Sequence, residues 1–261
     1  MVDAAPLAGR IQIRAQWHGF SIFLAETPEE RELAYRIRHD VFLEELRGEP
    51  RCERRECDHF DQRYDQLVVT VAATGEPVGT SRLTTSLTTS DFYSGTEFHL
   101  DRFLAMPGVK MEMGRVCLCR PWRRNISLAA LARGLGMYAR MSGADWVFGC
   151  SSIATTDLAL AATLQSHFRD LGACRARVAV TPRPGFAIPG FAQALSQAAP
   201  VSGAPGMLDS LIPPLLKLYL KSGAWIGAEP ALDRDFGCVD FFTVLSVADH
   251  NASVLGRYFR C

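Results

Sequence analysis

The sequence predicts an α/β protein in which a mixed central sheet is flanked by helices, with a C-terminal extension. Short runs rich in β-branched residues alternate with longer segments whose apolar residues recur every three or four positions. Of the 261 residues, 48% are hydrophobic and 21% are charged, which is typical of a globular chain that buries a large core. We find no internal repeat or low-complexity tract that would indicate a solenoid or a disordered protein.

Composition and charge exclude several classes of protein. Lys plus Arg and Asp plus Glu both number 28, so no net positive charge recruits nucleic acid. The eight cysteines lack the Cys-x-x-Cys spacing of zinc or dithiol sites, so we expect reduced thiols and no metal. The first residues have no apolar core of signal-peptide length, and no run of about 18 apolar residues follows. We therefore expect a cytoplasmic protein.

The elements of the first half follow from local signals. Residues 1–19 are predicted to be an N-terminal segment, and residues 20–25 form the first strand. Thr27, Pro28 and Glu30 then supply an N-cap, a proline at the first helical position and a capping-box glutamate. Apolar residues repeat every four positions after them, which predicts a single helix to about residue 46.

The rest of the chain is assigned in the same way. Residues 67–73 and 78–85 predict an antiparallel hairpin. The later elements are a strand at 111–119, a helix at 128–141, a strand at 145–150, a helix at 156–171, a strand at 173–181, a Pro/Gly-rich loop or lid at 182–206, a helix at 213–221, a strand at 238–247 and a helix at 251–259. Residues 20–261 are thus predicted to form one domain with an elaborated C-terminus.

The strand after residue 110 carries two charges in an apolar run. Glu112 and Arg115 lie within Met-Glu-Met-Gly-Arg-Val-Cys-Leu-Cys, and buried charges need partners or a function. Residues three apart in a regular strand point to opposite faces. Gly114 predicts a bulge that would turn both side chains toward one cleft. The alternative is a buried ion pair that only fixes the strand.

A basic turn follows this strand and precedes the next helix. The unpaired amides and the dipole at a helix N-terminus attract anions, and cationic and polar side chains strengthen the attraction. The residues predicted to form this anion-binding patch are Arg120, Arg123, Arg124, Asn125, Ser127 and Arg133.

Four motifs in order resemble one known family. They are Arg-x-x-x-Phe (Arg38, Phe42), Asp-x-x-Asp (Asp58, Asp61), Gly-Thr-Ser-Arg-Leu, which contains Arg82, and Glu-Met-Gly-Arg (Glu112 to Arg115). Together they resemble the acyl-homoserine-lactone synthase branch of the GNAT acyltransferases. Within it the chain is most similar to the ornithine lipid N-acyltransferases, often labelled hemolysin-like, over residues 21–259.

This resemblance implies a fold and an activity. The fold would be GNAT-like, and the enzyme would transfer a 3-hydroxy fatty acyl group from acyl carrier protein to the α-amine of an amino acid, usually ornithine. The product would be a lyso-ornithine lipid, which implies peripheral contact with the inner membrane. No metal or redox cofactor is implied. The Gly-rich pyrophosphate loop of coenzyme A users is replaced by residues 120–127, which contain no glycine and suit the single phosphate of a phosphopantetheine arm.

The motif residues take roles under this reading. Glu112 would accept the proton of the attacking amine, and amides near Gly114 would stabilise the oxyanion. Arg82 and Arg115 would bind the acceptor carboxylate or orient Glu112. The remaining motif residues would form the acceptor pocket: Arg38, Phe42, Asp58 and Asp61.

Three alternatives remain open from the sequence. The enzyme could N-acylate another amino acid such as glycine or glutamine, or it could make an acyl-homoserine lactone. From a different class, the chain could be a catalytically silent module that binds acyl groups or the carrier protein. Such a module would tolerate the loss of Glu112.

Overall fold

The computed structural model describes residues 11–175, 180–198 and 205–249, and in these ranges strands alternate with helices. The strands are β1 (Arg14–Trp17), β2 (Phe20–Leu24), β3 (Asp65–Val71), β4 (Pro77–Thr85), β5 (Phe98–His99), β6 (Val109–Leu118), β7 (Ala144–Ile153), β8 (Thr181–Pro182), β9 (Trp225–Ile226), β10 (Ala231–Asp233) and β11 (Cys238–Ser246). The α-helices are α1 (Pro28–Arg38), α2 (Ser94–Glu97), α3 (Asp101–Leu104), α4 (Asn125–Met141), α5 (Leu158–Asp170), α6 (Phe191–Gln197), α7 (Pro205–Leu211) and α8 (Pro214–Lys221).

The predicted mixed α/β class is confirmed, and most of its elements lie where the local signals put them. Helix α1 begins with the expected capping box: Thr27 accepts a hydrogen bond from the Glu30 amide, and the Glu30 side chain accepts one from the Thr27 amide. Strands β3 and β4 form the predicted antiparallel hairpin. Helix α8 begins at the predicted Pro-Pro pair.

The chain divides into two compact units, and β6 runs from one into the other. The first unit contains the described residues up to 83 and residues 115–143. Its sheet has the order β1-β2-β3-β4, with the second half of β6 beside β4, and the paired strands β1 to β4 are antiparallel. Helix α4 packs closely on this sheet, because a Cβ on Gly134 would come within 2.8 Å of Ile22 and Leu67 side chains.

The second unit contains residues 84–114 and the described residues from 144 onward. Its sheet has the order β6-β7-β11-β10, with β6 and β7 parallel and the other pairs antiparallel. One face packs in an aromatic cluster around Phe148 and Phe242. The second cluster contains Phe168 of α5 and Phe241 of β11, whose rings meet edge to face at 5.1 Å.

Three predictions of local structure were wrong. The segment predicted to be one α-helix to residue 46 is α-helical only to Arg38, and a π-helix, His39–Glu45, follows directly. Hydrophobic periodicity does not reveal the change, because it carries no information on whether hydrogen bonds span four or five residues. The segment 1–19 contributes strand β1, which pairs with β2. The loop at 182–206 contains helix α6 and the start of α7. Of the other elements, the helix at 251–259 and residues 176–179 of the strand at 173–181 lie outside the described residues.

No helix within the described ranges is both long enough and apolar enough to cross a lipid bilayer.

A close approach of backbones inside the second unit requires a glycine. A Cβ on Gly149 of β7 would lie 2.2 Å from the Met113 carbonyl oxygen of β6, whereas a Cβ on Gly114 would meet no atom within 4 Å. We expect Gly149→Ala to lower the free energy of unfolding by about 1–3 kcal/mol, because the strands must move apart. Gly114→Ala should change it by less than about 1 kcal/mol. Urea denaturation of both variants tests this, and an equal effect of the two would contradict it.

Candidate active site

Glu112 is held in one orientation by two consecutive backbone amides. Its Oε2 accepts a hydrogen bond from the Tyr93 amide at 2.9 Å, and its Oε1 accepts one from the Ser94 amide at 2.7 Å. The side chain is 2% exposed. One amide binds each carboxylate oxygen, so the two bonds fix the orientation of the group. The predicted buried glutamate is therefore present, and two consecutive backbone amides are among its partners.

The pairing of β6 with β7 ends at this glutamate. Parallel register pairs between β6 and β7 run from Val109 opposite Ala144 to Glu112 opposite Phe148, and no pair follows them in the described residues. Backbone groups that leave a ladder become available to other partners. The arrangement is compatible with the sequence-based expectation of amide donors near Glu112.

In the first unit, three arginines alternate with three carboxylates in a buried network. Both terminal nitrogens of Arg38 donate to Asp61, at 2.6 and 3.0 Å, and its Nε donates to Glu56. Arg82 Nη1 donates to Asp58 Oδ1 at 2.6 Å.

Arg115 completes the network. Its Nε donates to Glu56 Oε1 at 3.2 Å, and its Nη2 donates to Asp58 Oδ2 at 3.3 Å. The Asp58 amide also donates to Asp61 Oδ2 at 2.8 Å. The six side chains therefore form one connected, charge-balanced group, in which each carboxylate contacts at least one guanidinium.

The arginines determine the ionisation of these acids. Burial by itself would raise the pKa of each carboxyl, but the facing guanidinium groups outweigh burial. The pKa of Glu56 is lowered by Arg115 and Arg38, and the pKa of Asp61 is lowered mainly by Arg38. The pKa of Asp58 is likewise lowered, by Arg82. All of them are carboxylates at neutral pH.

Arg115 has a strained backbone conformation. Its φ is +51°, in the left-handed region that L-residues with a Cβ rarely adopt. Gly114, where the sequence predicted the irregularity, is not among the residues with positive φ. Because a conformation of this kind costs of order 1–3 kcal/mol, surrounding contacts must hold it. The bonds of Arg115 to Glu56 and Asp58 supply such contacts.

The basic turn has a partner that the sequence did not indicate. Arg123 forms a two-pronged ion pair with Glu45, at 2.6 and 2.7 Å, from a position 78 residues later in the chain. Arg120 and Arg124 are exposed, and Arg133 is partly exposed. Ser127 is fully buried, and its hydroxyl has no hydrogen-bond partner among the described residues. Asn125 begins helix α4, three residues before the predicted start at residue 128.

Phe42 lies in the π-helix and packs, half-buried, against an apolar cluster that includes Ile37 and Val41. Two buried acids are not indicated by the sequence. Glu56 stands in a run of charged residues where nothing distinguishes a buried acid from solvated ones. Glu97 is 1% exposed in a short helix. Their burial is a tertiary property, and a single sequence carries no local signal for it.

Comparison with known proteins identifies the class. Residues 37–133 match the family model described as an acetyltransferase (GNAT) domain. The chain is 29% identical over 255 residues to an L-ornithine N(alpha)-acyltransferase of Rhizobium meliloti (strain 1021), covering 90% of this chain and 81% of the relative. A protein of the same name from Brucella abortus (strain 2308) is 29% identical over 249 residues, covering 90% and 87%.

Among solved structures, FeeM, an N-acyl amino acid synthase from uncultured soil microbes, aligns over 93% of this chain and 98% of its own with 11% identity and a TM-score of 0.47, a likeness too low to bear on function. The domain match and the curated relatives establish that the chain is an N-acyltransferase with a GNAT domain. They confirm the resemblance that the four motifs indicated.

Proposed function

We propose that this enzyme transfers a 3-hydroxy fatty acyl group from acyl carrier protein to the α-amine of L-ornithine. The observation that carries the proposal is Glu112, a buried carboxylate aligned by two amides at the end of the β6–β7 pairing. The relatives named L-ornithine N(alpha)-acyltransferase support ornithine as the acceptor. The motif resemblance supports the carrier protein as the donor.

The reaction requires two proton movements. The acceptor reaches the enzyme mainly as an ammonium ion, and Glu112 takes one of its protons so that a neutral amine can attack the thioester carbonyl carbon. A C–N bond forms and the C–S bond breaks. The second proton leaves the nitrogen, and the departing thiolate of the phosphopantetheine arm is protonated. The products are the N-acyl amino acid, the free thiol of the carrier protein and one proton.

Other parts of the chain would serve the donor and the acceptor. Arg120, Arg123, Arg124, Asn125, Ser127 and Arg133 would receive the carrier protein and its phosphate. The network of Arg38, Asp58, Asp61, Arg82 and Arg115 would serve the acceptor, and Phe42 and Gly114 would also take part in acceptor binding. The product would leave into the inner membrane from a cytoplasmic enzyme that touches the bilayer peripherally.

The direct test is mass spectrometry of lipids from a host that expresses the chain, combined with an assay of the purified protein. With acyl-loaded carrier protein and ornithine, we expect an N-acylated ornithine and one free thiol per product. Glycine, glutamine and S-adenosylmethionine are offered separately. If the enzyme preferred glycine or glutamine, or formed a lactone, ornithine would not be its acceptor. If no acceptor gave a product, the result would favour the binding module.

A second expectation concerns the donor. Reversing the charge of both Arg123 and Arg124 should weaken association with the acidic carrier protein at low salt, and the difference should shrink at high salt. Arg36→Glu is the matched control, because Arg36 is an exposed arginine of the same unit outside the patch. Surface plasmon resonance at two salt concentrations measures both. Unchanged affinity in the double variant, or an equal loss in the control, would move the docking surface elsewhere.

A further inference from the structure

A second group of buried acids lies on the sheet of the second unit, on the face that carries Glu112. Register pairs put Glu112 opposite Phe148, Ser152 opposite Asp240 and Cys238 opposite Asp233. Residues two apart on a strand share a face. This face therefore carries Glu112, Cys150, Ser152, Asp240, Cys238 and Asp233.

Helix α2 connects Glu112 to this group. Ser94 begins the helix, its amide donates to Glu112, and its hydroxyl lies 3.5 Å from the Cys150 sulfur. Glu97 ends the same helix, one turn or about 5 Å further along its axis. The carboxyl of Glu97 lies beside that of Asp240 and also near Asp233. Polar groups thus continue from the candidate base to the acid cluster of Glu97, Asp233 and Asp240.

Among the described residues, no cationic side chain is hydrogen-bonded to or ion-paired with the acid cluster. Neither oxygen of Glu97 has a hydrogen-bond partner among the described residues, although the side chain is 1% exposed. The bonds that its neighbours receive come from neutral groups: the Ser152 hydroxyl donates to Asp240 at 2.5 Å, and two backbone amides donate to Asp233 at 2.9 Å. This differs from the network in the first unit, where every carboxylate faces a guanidinium.

Buried acids without a cation are costly to keep ionised. Burial, together with the charges of Asp240 and Asp233, raises the pKa of Glu97, and burial also raises the pKa of Asp240. The cluster therefore retains a proton at neutral pH when empty. An entering cation would be attracted to it and would displace that proton.

We infer that the acid cluster binds the side-chain ammonium group of the acceptor while Glu112 serves its α-amine. This inference rests on the proposed function and adds the residues that select a diamino acid. Ser94, whose amide binds Glu112, and Glu97 lie one helical turn apart at the two ends of α2, so the two amino groups of a short diamino acid would extend along this helix. Glu97 and Asp240 are then specificity-determining residues, since a neutral side chain would leave their carboxyls without a partner.

A divalent metal is the competing occupant. Asp233, Cys238 and Asp240 each offer a ligand atom, and these atoms lie within 4.8 Å of one another. A metal favours the thiolate form of cysteine, whereas burial, followed by Asp240, raises the pKa of the Cys238 thiol. The ammonium needs only the carboxyls of Glu97, Asp233 and Asp240.

Two acceptors test whether the cluster recognises the side-chain amine: ornithine and norvaline, which has the same carbon chain without the terminal amine. We expect Glu97→Gln and Asp240→Asn to lower kcat/KM for ornithine at least about tenfold, mainly through KM, and to change kcat/KM for norvaline less than about threefold. Asp235→Asn is the matched control, because its side chain is exposed in the adjoining turn. Equal losses for both acceptors, or no loss for ornithine, would overturn the inference.

Calorimetry without an acyl donor distinguishes this inference from the proposed function. Ornithine should bind the wild-type protein more tightly than norvaline, and Glu97→Gln should remove the difference. Equal binding of the two ligands to the wild type would overturn the inference whether or not the enzyme turns over. Selective binding without acyl transfer would instead count against the proposed function alone. Loss of ornithine binding on treatment with EDTA, restored by Mn²⁺ or Zn²⁺, would assign the cluster to a metal.

Discussion

Replacement of Glu112 by glutamine is expected to lower turnover about 100-fold or more, the loss typical of a missing general base. The side chain keeps its size, but it has only one carbonyl oxygen for the two amides of Tyr93 and Ser94. We therefore also expect the free energy of unfolding to fall by about 1–3 kcal/mol. Release of the carrier-protein thiol measures turnover, and circular dichroism confirms that the variant is folded.

The pH dependence separates a base from a structural carboxylate. A solvent base replaces Glu112 as the pH approaches the pKa of the acceptor amine, so the deficit of Glu112→Gln should narrow in alkaline buffer. Carrier-protein affinity should not change. A folded variant with near-normal turnover at neutral pH would defeat the assignment. A deficit that stays constant with pH would indicate that Glu112 only holds the backbone.

Asp61→Asn should destabilise the protein by about 3–5 kcal/mol at neutral pH, because it leaves the fully buried Arg38 without its two-pronged partner. Asp209→Asn is the control: Asp209 pairs with Lys217 at an exposed position, and its loss should have little effect. Urea denaturation measures the free energy of unfolding of both variants.

The effect of Asp61→Asn should depend on pH in a defined direction. The pKa of Asp61 is lowered in the folded protein. Its ionised carboxylate therefore contributes fully to the free energy of unfolding above the pKa of an unfolded aspartate, about 4. That contribution is lost as the pH falls through the lower pKa of the folded state. The difference between wild type and variant should therefore be largest at pH 7 and shrink as the pH falls below the pKa of an unfolded aspartate, about 4. A difference that does not change with pH would mean that packing, and not charge, causes it.

The same variant tests whether the network serves the acceptor. We expect Asp61→Asn to raise the KM for the acceptor, because Asp61 accepts from the Asp58 amide and Asp58 in turn holds Arg115. Arg82→Ala should act in the same direction, since Arg82 is the other partner of Asp58. Carrier-protein affinity should stay the same. If both variants kept wild-type acceptor kinetics, the network would have a structural role only.

The features that the sequence predicted correctly depend on local or short-range patterns. The capping box of Thr27 and Glu30 depends on residues within a four-residue segment. Hydrophobic periodicity predicted helix α4 and strand β7. Glu112 was identified because a charge stands out in an apolar strand. The motifs containing Arg38 and Asp61 were found by resemblance, and they meet in the structure.

What only the tertiary structure decided are contacts between distant parts of the chain. Glu56 looks like one of several solvated charges, and it becomes buried because Arg38 and Arg115 approach it from positions 18 and 59 residues away. The left-handed conformation falls on Arg115 rather than on the neighbouring glycine, since its two carboxylate partners hold it there.

The acid cluster of Glu97, Asp233 and Asp240 is the clearest example of contacts that the sequence does not indicate. Glu97 lies in a four-residue helix with no pattern of its own, and only the pairing of β7, β10 and β11 brings Asp240 and Asp233 beside it. A sequence encodes which residues are apolar and how they repeat, so it determines the elements and their buried faces. Which charges meet on those faces depends on strand register and on backbone paths tens of residues apart, and that information exists only in the folded chain.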